Sequence, residues 1–258
     1  PTGNLSISTF EKIMQQTARK VCAINLHFMG EPLLNKDILK LIEIARKWRL
    51  FTSFSTNGHF LSPEICEHLV LNKVAMVVIS LDGMKQETYS KYRINGSLQK
   101  VINGLQTLQK VKQELKSNYP VVILQMVVNK FNEGEIPEFL DFARKNHLSA
   151  ILKTMNVIDD RQEEWLPAQS TYIRTTPGKI RGCWRYAFSK VITWDGEVLP
   201  CCYDHNGKYT HGNINLNTME EILKNEYTKR FYTELWQSRS NIEICKKCPE
   251  GGKIYISL

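Results

Sequence analysis

Apolar positions in the first 155 residues switch between two patterns, a spacing of three to four residues and short unbroken runs. The wider spacing predicts helices over residues 10–17, 37–48, 63–71, 98–115 and 136–146, the third opening behind a Ser62 N-cap. The runs predict strands over 20–28, 51–55, 74–81, 121–129 and 150–154. Strands apolar on both faces and separated by helices form a parallel sheet with right-handed crossovers, so the fold class is α/β. The chain opens on a helix, and the strand expected ahead of it lies outside the sequence. From residue 156 to 181 the pattern stops. Beyond it, residues 186–194 and 198–203 flank Asp195-Gly196 and predict a β-hairpin, and 219–236 reads as one helix with a capping box from Thr218 to Glu221. The expected organisation is a sheet domain over 1–155, a linker over 156–182 and a small α+β domain over 183–258.

Composition narrows the function classes. The longest apolar stretches have strand length and no signal peptide is present, so neither a membrane span nor a membrane partner is expected. The formal net charge of +8 favours an acidic partner or substrate, but the Lys and Arg residues are scattered and no nucleic-acid module appears. Seven cysteines, an odd number with Cys22 and Cys66 stranded early, argue against a secreted disulfide framework and for a reducing, cytoplasmic setting. The chain begins at Pro1 without Met, so an N-terminal piece is expected to be missing.

The candidate chemistry lies in two places. Cys183 is followed after twelve residues by Gly196 and after four more by Cys201, and Cys245-Lys246-Lys247-Cys248 closes the set. Four soft ligands in this spacing suit tetrahedral zinc or an iron–sulfur cluster, with Cys202 as a fifth thiol. The second place is the carboxyl ends of the expected strands, where parallel α/β sheets bind ligands. There stand Met29-Gly30-Glu31-Pro32, Ser55-Thr56-Asn57-Gly58, Ser80-Leu81-Asp82-Gly83 and Asn129.

Taken together, Gly30-Glu31-Pro32-Leu33-Leu34, Ser55-Thr56-Asn57-Gly58, Ser80-Leu81-Asp82-Gly83 with Tyr92-Arg93, and the four spaced cysteines make the chain resemble a radical S-adenosylmethionine enzyme with a C-terminal SPASM or twitch auxiliary domain. The resemblance implies a partial (β/α)6 TIM-like barrel lacking its first strand, followed by an auxiliary-cluster domain with a hairpin and a helix. It implies that Gly30, Glu31 and Pro32 receive the methionine amino group of S-adenosylmethionine, and that Ser80 and Arg93 hold its carboxylate. Ser55 and Asn57 would bond the ribose or carboxylate side. Set against these roles, Glu31 also reads as a helix-start carboxylate and Arg93 as half of a surface ion pair. Cys183, Cys201, Cys245 and Cys248 would complete one auxiliary [4Fe–4S] cluster with no open iron, which favours electron transfer. Cys202 would then be a packed thiol or a hydrogen-atom donor.

In one respect the chain departs from the family. The Cys-x-x-x-Cys-x-x-Cys loop that holds the catalytic [4Fe–4S] cluster is absent from these 258 residues, and Cys22 and Cys66 read as buried core thiols. That cluster is therefore expected on a preceding segment. The implied activity is hydrogen abstraction by a 5′-deoxyadenosyl radical from a peptide, a sugar or another natural product, ending in oxidation or epimerisation and using an external electron donor. The substrate is expected between the barrel mouth and the auxiliary domain, with His27, Gln125, Lys153 and Asp159-Asp160 as candidate contacts. Two other classes stay open: a zinc-stabilised small-molecule binding module, and a degenerate family member without catalysis.

Overall fold

The computed structural model describes residues 2–155, 160–173, 182–246, 248, 250 and 255–256, with backbone only at 160–162 and 255–256. In chain order the elements are α1 (Ile7–Thr17), β1 (Ala23–Asn25), α2 (Ile38–Lys47), β2 (Phe51–Thr56), α3 (Pro63–Leu71), β3 (Met76–Ser80), α4 (Gln86–Tyr92), α5 (Leu98–Glu114), β4 (Val121–Val128), α6 (Ile136–Lys145) and β5 (Ser149–Thr154). They continue with α7 (Trp184–Phe188), β6 (Val191–Ile192), β7 (Glu197–Leu199), β8 (Gly212–Asn213), α8 (Met219–Lys224), α9 (Glu226–Gln237), α10 (Glu243–Lys246) and β9 (Tyr255–Ile256). The chain divides into two compact units, one of Pro1–Cys22, Lys47–Leu50 and Thr175–Gly252, the other of Ala23–Arg46, Phe51–Arg174 and Lys253–Leu258.

In the larger unit β1 to β5 lie side by side in sequence order, every neighbouring pair parallel. This is the α/β sheet expected from the sequence. The last described strand, β9, adds to β5 antiparallel, a pairing that the sequence does not signal. Alternate strand residues face opposite sides, and the two faces differ. Phe54, Val77, Ile79, Leu124, Met126 and Leu152 are fully buried and pack with Leu69, Leu105 and Phe139 of the helices. The other face carries Ser53, Ser55, Val78, Gln125 and Lys153 and is only partly covered. Burial of the first set supplies the driving force, on the order of 1.5–3 kcal/mol per large side chain, and leaves the second face free to take a ligand. No described helix is long and apolar enough to cross a membrane.

The smaller unit holds the three-stranded antiparallel sheet β6-β7-β8 and a core of Tyr186, Phe231, Leu235 and Ile242. Helix α1 belongs to this unit: Thr9 Oγ1 donates to Asn215 Oδ1 at 3.3 Å, and Gln16 Oε1 accepts from Met219 N at 2.6 Å.

Several local expectations need correction. The strand expected over 20–28 is only Ala23–Asn25, because an edge strand is held from one side and ladder pairing stops at Asn25–Ser53. Cys22 lies outside it and is exposed, so it is not a core thiol; Cys66 is buried as expected. Residues 184–188 are helical, with Trp184 and Phe188 one turn apart and stacked at 5.7 Å, so the first hairpin arm is just Val191–Ile192. The single helix expected over 219–236 breaks at Asn225, whose backbone is extended and whose side-chain Oδ1 caps the next helix by accepting from Thr228 N at 2.7 Å. Helix α4, absent from the sequence reading, starts at Lys85 without any side-chain cap.

Candidate functional site

The carboxyl-end loops of the parallel sheet are tied into one another by two carboxylates. Glu31 is the first. Its Oε1 accepts from Thr56 Oγ1 at 2.7 Å and from Leu33 N at 3.1 Å, and its Oε2 accepts from Asn57 N at 2.6 Å. Glu31 thus starts the short 3-10 turn Pro32–Leu34 and also clamps the Gly30–Pro32 segment to the Ser55–Gly58 segment. Both segments need a left-handed glycine, with φ +79° at Gly30 and at Gly58. At Gly58 a Cβ would also meet Val101 Cγ1 at 2.9 Å.

Asp82 is the second. It is fully buried, receives Nη2 and Nε of Arg93 at Oδ2 (2.6 Å each), and accepts Val127 N at Oδ1 at 2.7 Å. Burial pushes the Asp82 carboxyl up, and Arg93 with the Val127 N–H pulls it back. Arg93 is therefore not in a surface pair. Its partner is wholly buried while its own side chain is 31% exposed, which leaves part of the guanidinium facing outward. Asn132 braces the turn by donating to Asp82 O at 3.0 Å and Val127 O at 2.9 Å. The sequence motif contained Asp82, but nothing in the pattern told that it would anchor Arg93.

Of the remaining predicted residues, Ser55 is half-buried on the partly covered face, Asn57 follows β2, and Ser80 is buried at its strand end. Ser80 closes β3 opposite Gln125 of β4, and Ser55 N donates to His27 Nδ1 at 3.1 Å. His27 keeps solvent contact, yet desolvation by the surrounding wall and, second, the charge of Lys153 hold its imidazole below the ordinary value. Lys153 sits at the end of β5 opposite Val127 and acts electrostatically on both His27 and Asp82. Asn57 forms a tight turn, its Oδ1 accepting from His59 N at 2.9 Å. Asp159 and the Asp160 side chain lie outside the described residues.

In the smaller unit Cys183, Cys201, Cys245 and Cys248 line one cavity, walled by Tyr186, Phe231, Leu235 and Ile244. Cys183 begins α7, Cys201 follows β7, and Cys245 ends the chain of helices in α10. Burial pushes the Cys201 and Cys245 thiols up to about 12 and raises Cys248, the neighbouring thiols adding to each shift. Protonated thiols in an apolar pocket contribute little; thiolates on a metal would be a different matter, because the metal removes the protons. Among the described residues no three His, Cys, Asp or Glu side chains converge closely enough to hold a metal ion. Cys202 does not line the cavity. It sits in the turn after β7 rather than on a strand, so turn geometry and not strand alternation separates it from Cys201. Sequence reasoning missed the polar neighbours of this cavity: Arg239, Arg185 and Glu250.

Comparison with known proteins agrees with both halves of this picture. A family model described as the radical SAM superfamily matches residues 2–143, and one described as an iron–sulfur cluster-binding domain matches residues 183–249. The GTP 3′,8-cyclase of Nautilia profundicola is 33% identical over 238 residues, covering 81% of this chain and 74% of that protein. The mycofactocin maturase MftC of Mycolicibacterium smegmatis is 25% identical over 215 residues, or 72% of this chain and 53% of its own length. Against most of the curated relatives it matches, the chain spans between about a third and a half of their length. Among solved structures, Streptococcus suis SuiB superposes with a TM-score of 0.69 at 16% identity, covering 95% of this chain and 66% of that one. The anSMEcpe structure with bound AdoMet and Kp18Cys peptide gives 0.63 at 18% identity, covering 97% and 81%. At these identities the structures speak for the fold alone.

Proposed function

Because this chain belongs to the radical S-adenosylmethionine superfamily and carries an iron–sulfur cluster-binding domain, we propose that it abstracts hydrogen from a peptide substrate and completes an oxidation or an epimerisation. The cofactors of these two domains are S-adenosylmethionine and [4Fe–4S] clusters. The first, reduced at a cluster, supplies the 5′-deoxyadenosyl radical, and the auxiliary cluster supplies a store for the electron left on the substrate.

The observation that carries the reading is the double clamp at the strand ends, Glu31 on one side and Asp82–Arg93 on the other. Glu31 already has three donors, so its part is to fix the loops; the Glu31 and Pro32 carbonyls accept Leu34 N and Asn35 N, and the Gly30–Pro32 segment meets an ammonium group through the second lone pairs of its carbonyls. Arg93, held from behind by Asp82, turns its outer N–H groups to the methionine carboxylate, with Ser80 beside it. Ser55 and Asn57 bond the ribose side. Cys183, Cys201, Cys245 and Cys248 hold the auxiliary cluster. Gln125, Lys153 and His27 line the same open face and contact the substrate. A peptide is favoured by the maturase relative and by the peptide-bound anSMEcpe structure. The cyclase relative and the +8 charge support a second reading, a nucleotide substrate cyclised after the same hydrogen abstraction. Cys202, outside the cluster cavity, remains the candidate hydrogen donor of the epimerase variant of this proposal.

The test is anaerobic incubation of the intact gene product with reductant and S-adenosylmethionine. Formation of 5′-deoxyadenosine, with at least tenfold weaker S-adenosylmethionine binding in Arg93→Ala, is the expected result. No 5′-deoxyadenosine from an iron-replete protein would remove the catalytic reading, and unchanged binding in Arg93→Ala would remove the assigned role of Arg93.

A further inference from the structure

The cavity that gathers the four thiols also gathers two arginines, and they are not equivalent. Arg185 is neutralised, its Nε donating to Glu250 Oε2 at 2.9 Å. Arg239 is not. It is 7% exposed, its Nη1 donates to the backbone carbonyl of Glu250 at 3.1 Å, and among the described residues no carboxylate pairs with it. It shares the cavity wall with Cys245 and Cys248, and its charge acts on both thiols. A buried guanidinium without a counter-ion is costly, since buried charges are normally paired or coordinated. The anion that would balance it is on the same cavity wall: Cys183, Cys201, Cys245 and Cys248 as thiolates. Lys190 acts electrostatically on Cys201 and Cys183 too, but from outside the cavity lining, where it donates to Tyr186 O and Ser189 O.

We propose that Arg239 is the charge-setting residue of the auxiliary centre: its buried guanidinium offsets the negative charge of a thiolate-ligated cluster and so makes that cluster easier to reduce. This rests on the cluster reading of the four thiols given above. The physical basis is that cluster potentials follow net charge, hydrogen bonds to sulfur and solvent exposure. Reduction adds one electron to an already anionic group; no bond in the protein is made or broken. A fixed positive charge in an apolar pocket stabilises the more negative, reduced form most. The Glu250 N–H, donating to Cys248 Sγ at 3.4 Å, acts in the same direction with a dipole in place of a charge. Arg239 also fastens the Glu250 backbone that carries this donor.

The experiment uses the intact, anaerobically reconstituted protein, with dithionite supplying the electron. The auxiliary signal is identified as the one that Cys201→Ala loses, and its midpoint potential is read by electron paramagnetic resonance. Arg239→Gln is expected to keep the cluster and shift its potential lower, whereas Arg239→Lys, which keeps the charge, is expected to stay near the parent. An Arg239→Gln protein with full iron and an unshifted potential overturns the proposal. If Arg239→Gln loses its iron, Arg239→Lys decides: full iron at the parent potential supports the proposal, and equal loss makes Arg239 a scaffold residue and overturns it. A parent protein that takes up no iron and sulfide sinks the cluster reading and this inference together, while an unshifted Arg239→Gln sinks the inference alone.

Discussion

The two candidate sites are built on opposite plans. At the strand ends of the larger unit nearly every polar group has a protein partner: Glu31 binds three donors, and Asp82 binds Arg93 twice and Val127 once. In the cavity of the smaller unit the main groups are four thiols, and burial raises the pKa of Cys201, Cys245 and Cys248. The first plan yields a rim that is complete without its ligand, as a cofactor that is consumed and replaced requires. On the proposed function, the second yields a pocket that a resident metal centre would complete. In physical terms, one cofactor is bound by the fold and the other is part of it.

The comparison predicts unequal responses to damage. The largest effect belongs to the cysteines: Cys245→Ala, or chelation of the metal, should unfold the smaller unit, with loss of bound iron and of its thermal transition, while the parallel sheet persists in circular dichroism. A smaller unit that keeps its transition after complete metal removal would break the contrast. Next comes Asp82→Asn, which leaves Arg93 beside a neutral group in a buried setting. It should cost about 3–5 kcal/mol of stability in the larger unit, measured by denaturant unfolding, with no change in iron content.

A pH test sharpens the contrast further. His211 is 3% exposed, with Nδ1 unpartnered and Nε2 near Tyr186 Oη at 3.2 Å. Burial, and then Lys190, depress its pKa from 6.5 to about 4. The unfolded chain takes up a proton below pH 6.5 that the folded unit refuses down to about 4. Stability of the smaller unit should therefore be full above that range and fall as pH drops through it, by on the order of 3 kcal/mol. His211→Phe should flatten this slope. The smallest effect is expected of Cys202→Ala, which should leave iron content unchanged because the thiol lies outside the cavity. Loss of iron there would make Cys202 a ligand, and loss of product with 5′-deoxyadenosine still formed would make it the hydrogen donor.

Legibility from sequence followed how local the cause was. Helix α3 was readable to the residue because Ser62 accepts from Ile65 N and Pro63 occupies the first turn, both signals within four positions. The strands were readable because their buried faces carry large apolar side chains, among them Phe54, Val77, Ile79, Leu124, Met126 and Leu152. Causes that act over distance were not. The pairing of β9 with β5, the place of α1 among the smaller unit's elements, and the Asp82–Arg93 pair each depend on tertiary contacts. The break at Asn225 was within reach, since Asn followed by Glu is a helix-start signal, but the apolar periodicity runs through it. For the site, spacing identified the four thiols, whereas Arg239 stood out only once burial and missing counter-ions were visible.

The central claim, that the smaller unit is completed by an iron–sulfur cluster, is tested most directly by metal and sulfide analysis of the anaerobically prepared protein. The account predicts about four irons and four acid-labile sulfides lost together in Cys201→Ala. A colourless protein with a single zinc and no sulfide, lost in the same variant, would contradict it.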